Sequence, residues 1–183
     1  MAENATLFVA KKSVGVLASV PRRIAAGEWT RLPIDGPAEP EDRLAYAVAL
    51  LKGAQAIGAV GHNGRRLVHP LFLLLSFSLE NSLKAYLQHC GVDKREKIER
   101  PPLAHDLKRL LGLATKAGLT LPRQAMELID SLSDYHLQHV FRYPKNVGSV
   151  DIYSDAFACV WADEALRSVA QAIGYKSSPA RLP

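Results

Sequence analysis

Apolar residues recur along this chain at intervals of three and four, the spacing of one face of a helix. The pattern predicts five helices. The first runs from Pro40 to about Val60, with Leu44, Val48 and Leu51 on one side. Pro40 suits a first turn, and Glu39, Glu41 and Asp42 sit where the helix dipole is positive. The second runs from about Pro70 to Cys90. Its stripe of Leu71, Leu75, Leu79, Ser82, Tyr86 and Cys90 is widened by Phe72, Leu83 and Leu87. The third runs from His105 to about Ala117, with Leu107, Leu110, Leu111 and Ala114 facing inward and Gly118 closing it. The fourth is predicted from Pro122 to Tyr143, where Pro144 stops it. The fifth spans about Ser154 to Ile173 on Phe157, Val160, Trp161, Ala165, Leu166, Val169 and Ile173.

Amphipathic helices joined by mostly short connections pack as layers of helix on helix. The expected fold is all-α: an up-and-down antiparallel bundle of four to five helices over residues 39–174. Residues 1–38 are punctuated by Pro21, Gly27, Pro33, Gly36 and Pro37 and read as an N-terminal arm. Residues 175–183 read as a flexible tail.

Composition narrows the class. The chain has 183 residues, of which 48% are hydrophobic and 22% charged, so a disordered chain is excluded. The balance of 23 Lys+Arg over 18 Asp+Glu gives +5, which permits an anionic partner without demanding one. Two cysteines, Cys90 and Cys159, lie in helical stretches and read as free buried thiols of a reducing cytoplasm. The apolar run Pro70–Phe77 is too short to span a bilayer, so no membrane is expected. Lys11 and Lys12 break the first apolar stretch, so no secretory leader is expected.

Candidate chemistry gathers on two helices. Glu80 and Lys84 are four apart, as either an exposed ion pair or a partly buried polar site. On the fourth helix Leu128, Leu132, Tyr135, His139 and Arg142 share one side, with Ile129 and His136 close by. His139 then faces the core and Arg142 its edge, either as a satisfied core histidine or as a polar notch near Glu80 and Lys84. A pairing of Glu80 with Arg142 or His139 would satisfy the buried charge. Leu137 and Phe141 lie on the opposite side, with Val140 beside them, and read as an interface. It is covered by a second copy, or by the arm or fifth helix. No cofactor is expected, and no metal. His136 and His139 are spaced for an ion, but Glu80 lacks the Glu-x-x-His spacing of carboxylate bundles. Gly61-His62-Asn63-Gly64 lacks the Lys-Ser/Thr pair of a phosphate loop.

Three segments together resemble the HEPN superfamily of small helical bundles. Leu79-Glu80-Asn81-Ser82-Leu83-Lys84-Ala85 is similar to its Glu-x-x-x-Lys-Ala segment. His105-Asp106-Leu107 resembles its His-Asp-Leu, and Arg142-Tyr143-Pro144 its Arg-Tyr-Pro. The resemblance covers about residues 40–173. It implies a homodimer, an RNA or nucleotide ligand, and a nucleotidyltransferase-like protein partner. In many members it implies metal-independent RNA cleavage by an Arg followed after four to six residues by a His. Here Val147, Gly148 and Ser149 stand at those distances from Arg142, and no His does. Arg100 and His105 do have that spacing and are the catalytic candidates. The leading expectation is a non-catalytic binding module. The alternatives are a ribonuclease and a purely structural interaction protein.

Overall fold

A computed structural model describes residues 39–60, 68–101, 103–143 and 151–175. Every regular element among them is helical: α1 (Pro40–Ala59), α2 (Val68–His89), the single turn α3 (Asp93–Glu96), α4 (Leu107–Lys116), α5 (Arg123–Leu137) and α6 (Asp155–Ala172). The residues expected as an N-terminal arm, the Gly61–Gly64 segment, residues 144–150 and residues 176–183 of the expected tail fall outside the described residues.

The bundle is built around α2, which packs along α1 and also meets α4, α5 and α6. α1 and α2 run antiparallel. Arg43 near the start of α1 reaches Gln88 near the end of α2, while Gly58 at the other end of α1 lies against Leu71. Leu44, Leu51, Leu75, Leu79, Leu83, Leu110, Leu128, Leu132 and Val169 form one continuous apolar core. α2 has no polar side: the buried set includes Ser76, Ser78, Glu80, Ser82 and Lys84. Helices cover it all round, and its buried polar groups find partners inside the protein (Ser78 on Ala47 O, Ser82 on Leu79 O, Lys84 on Glu80), with the exception of the Ser76 hydroxyl, which has none among the described residues.

The ends of α2, α4, α5 and α6 share one device. In each, the amide five residues on returns to a carbonyl of the last turn: Val92 N to Leu87 O, Leu119 N to Ala114 O, Val140 N to Tyr135 O and Tyr175 N to Ala170 O, at 2.8–2.9 Å. This closure needs a left-handed residue just past the helix, normally glycine. Gly91, Gly118 and Gly174 fill it in three helices, with φ of 67°, 103° and 69°. In α5 it is filled by His139, at φ 58°.

That turn corrects the expectation of a helix through Tyr143. α5 ends at Leu137, and the chain bends inward. Phe141 was expected on an outer surface with Leu137. It is instead 6% exposed, with its ring stacked at 5.8 Å on Phe72 of α2. Val140 is buried beside it, and Leu137 alone stays open, at 42%. A helical projection carried past residue 137 put Phe141 on the wrong face. Cys90 is a second correction. Both thiols are free, but Cys90, just past the end of α2, is exposed and Cys159 is half-buried.

The α2–α4 connection is itself partly structured. It contains α3 and buries Ile98 and Leu103. It doubles back along α2, from His89 to His105. The Asp106 side chain accepts from the Arg109 amide at 2.9 Å and so caps α4.

Candidate functional site

Glu80 and Lys84 lie one turn apart on α2 and are 4% and 3% exposed. They form a buried pair, with Lys84 Nζ donating to Glu80 Oε1 at 2.8 Å. A charge in such a place persists only if it is paired and hydrogen-bonded. Lys84 also donates to Glu99 Oε2 at 3.0 Å, and Arg43 meets Glu99 Oε1 at 2.7 Å. Positive and negative groups thus alternate along Glu80, Lys84, Glu99 and Arg43, and the row reaches the surface at Glu99.

The other carboxylate oxygen, Glu80 Oε2, takes two imidazoles. His105 Nδ1 lies 3.0 Å away and His136 Nε2 2.5 Å. Burial pushes the Glu80 carboxyl up. The His136 hydrogen bond, the Lys84 charge and hydrogen bond and the His105 hydrogen bond together outweigh burial and hold it at about 2. Glu80 is therefore ionised and can only accept. Each histidine must present a proton to it, His105 from Nδ1 and His136 from Nε2. His136 is buried. The His105 side chain is 32% exposed, and its Nε2 is the ring nitrogen not engaged by Glu80.

Phe77 walls this cluster. Its ring meets His136 at 5.0 Å and 89°, and His105 at 6.3 Å and 90°. The guanidinium of Arg142 lies over the Phe77 ring, 5.1 Å from its centre. His139 packs on His105 with ring centres 5.1 Å apart, and Tyr143 meets His139 at 6.3 Å. Arg142 and Tyr143 are exposed, while His105 and His139 are half-buried. The result is a buried anion beneath a rim of imidazoles, a guanidinium and a phenol.

The structure thus brings together Glu80, Lys84, His105, His139 and Arg142. Their roles differ from those expected. The expected Glu80–Arg142 pair does not form: Arg142 belongs to the turn after α5 and lies on Phe77. The imidazoles on Glu80 Oε2 are His105, carried in by the returning connection, and His136. The Arg100 side chain is exposed on the turn before α4, and no hydrogen bond or ion pair joins it to His105 among the described residues. The sequence reading missed Phe77 and the central place of His136. Ile129, Leu132 and His136 share the buried face of α5, which was the available signal. No protein-family model, curated protein or solved structure matches this chain.

Proposed function

We propose that this chain is a HEPN-like binding module that takes a phosphate-bearing ligand, an RNA or a nucleotide, at the rim formed by His105, His139, Arg142 and Tyr143. The observation that carries the reading is the carboxylate clamp on His105. By accepting from Nδ1, Glu80 fixes the ring and leaves Nε2 as an acceptor for a hydroxyl or N–H of the ligand, such as a ribose hydroxyl beside the phosphate. Arg142 supplies a permanent planar cation suited to phosphate, and Tyr143 an exposed ring on which a base can stack. The homodimer and the nucleotidyltransferase-like partner belong to the same reading and rest on the family resemblance; the cytoplasmic setting rests on the two free thiols. No helix among the described residues is long and apolar enough to cross a membrane.

The test is fluorescence anisotropy with a labelled oligoribonucleotide in one arm and a labelled adenine nucleotide in the other. One of them should bind, more weakly as salt rises, and Arg142→Ala should weaken it about tenfold. Absence of binding in both arms at low salt would overturn the reading, as would binding that Arg142→Ala and His139→Ala leave unchanged.

One observation favours a second reading, a ribonuclease. A carboxylate on Nδ1 of a half-exposed imidazole is the arrangement that makes Nε2 a competent base. His105 would take the proton of a ribose 2′-hydroxyl as its oxygen attacks the neighbouring phosphorus; the bond from phosphorus to the 5′-oxygen breaks, that oxygen leaves with a proton from solvent, and a 2′,3′-cyclic phosphate remains, with Arg142 balancing the charge that develops on the phosphoryl oxygens. RNA cleavage in chelator that His105→Ala abolishes and Arg100→Ala spares would establish it.

A further inference from the structure

Glu80 Oε2, His105 Nδ1 and His136 Nε2 come from α2, the returning connection and α5, and all lie within 4.8 Å of one another. We propose that these three atoms form a site for a divalent transition metal of the zinc class, with a fourth position open on the His105 side. Two imidazole nitrogens and one carboxylate oxygen are a donor set such ions prefer, and three protein ligands leave a place for an exogenous one. The carboxylate is already ionised, so the ion displaces no proton from it. Each histidine need only move its proton to its other ring nitrogen.

The geometry is near what an ion requires. Ligand bonds of about 2.0–2.1 Å in a tetrahedron separate neighbouring donors by about 3.3 Å. Oε2 is 3.0 Å from His105 Nδ1 and 2.5 Å from His136 Nε2, so the His136 ring must move outward by about 0.8 Å and the His105 ring by less, with the two imidazole nitrogens, within 4.8 Å of each other, settling to the same separation. Lys84 holds the opposite oxygen, Oε1, and thereby points Oε2 at the imidazoles, the orienting role of an outer-sphere partner. His105, the most exposed of the three, gives a path for entry.

Charge decides what the fourth ligand must be. Glu80 and Glu99 already balance Lys84 and Arg43, so a divalent ion brings two uncompensated positive charges. An anion in the fourth position, hydroxide or an anionic oxygen from solution, offsets them. Binding of the ion should therefore tighten as pH rises and as inorganic phosphate is added. The ion would also leave His105 Nε2 carrying a hydrogen, turning that outward nitrogen from an acceptor into a donor.

The site stands independently of the phosphate-ligand reading, and its test uses no nucleic acid. Tag-free full-length protein, stripped with chelator, is titrated with Zn²⁺ by calorimetry and with Co²⁺ by visible absorption. The expected result is one ion per chain, strong tetrahedral Co²⁺ bands and a raised melting temperature. His105→Ala, at the half-exposed ligand, should stay folded by circular dichroism and weaken binding about tenfold or more, and His136→Gln should do the same. Binding weaker than about 0.1 mM in the unsubstituted protein would overturn the proposal. Binding that His105→Ala and His136→Gln leave intact would also overturn it, whatever becomes of RNA or nucleotide binding.

Discussion

His139 holds, at the end of α5, the backbone position that Gly91 holds at the end of α2. Both are left-handed, and each lets the next amide return to the last turn of its helix. A side chain in that conformation carries a strain that glycine does not. In exchange the turn lays the His139 ring against His105. Glycine and alanine both remove that ring, but only glycine relieves the backbone. His139→Gly should therefore be more stable than His139→Ala by about 1 kcal/mol, read by urea unfolding. Both should lose ligand affinity at the rim. Equal stabilities would mean that the turn is not left-handed in solution.

Glu80 should be the most sensitive polar residue in the chain. Glu80→Ala strands the buried Lys84 ammonium with Glu99 alone and takes the acceptor from two imidazoles. Removing one member of such a buried group costs about 3–5 kcal/mol. Chemical denaturation will measure it; a loss below about 1 kcal/mol would place the cluster in water.

Acid stability should carry the mark of the same residue. The carboxyl sits at about 2 in the folded protein against an ordinary 4.5. A lowered carboxylate contributes stability that is complete above 4.5 and is lost as pH falls through 4.5 towards 2. The difference amounts to about 3 kcal/mol. The stability gap between the unsubstituted protein and Glu80→Gln should shrink across that window. Isothermal unfolding at stepped pH values reads it, and a gap that stays constant would contradict the ionised carboxylate.

Phe141 and Leu137 should separate cleanly. Phe141→Ala removes a core ring from Phe72 and should destabilise the fold by about 3–5 kcal/mol whatever the oligomeric state. Leu137→Glu, at an open position, should stay within about 0.5 kcal/mol for a single chain. Light scattering on Leu137→Glu then tests the homodimer. A dimer that persists unaltered rules out this surface as its contact.

Much of this was legible in the residues. Leu44 with Leu51, Leu75 with Leu79, and Leu128 with Leu132 repeat at helical spacing, and the helices they mark are where expected. Pro40 marked its helix start by known local chemistry. What escaped was the stop of α5, because a histidine occupies the position where glycine would have announced it. Every face assigned beyond Leu137 shifted with that stop, which moved Phe141 from surface to core and Arg142 from Glu80 to Phe77. Glu80 and Lys84 were visible as a pair. Their two imidazoles were not, since His105 and His136 reach Glu80 across sequence gaps of 25 and 56 that no local pattern records.

The returning connection has a consequence for how the molecule assembles. A hairpin of α1 and α2 alone contains Glu80 and Lys84 paired with each other. The first imidazole arrives with the segment that leads into α4, and the second with α5. Glu80 acquires its full set of donors only when those later segments have docked against α2. The chemical site is therefore complete only where the contacts of α2 with both the returning connection and α5 are in place.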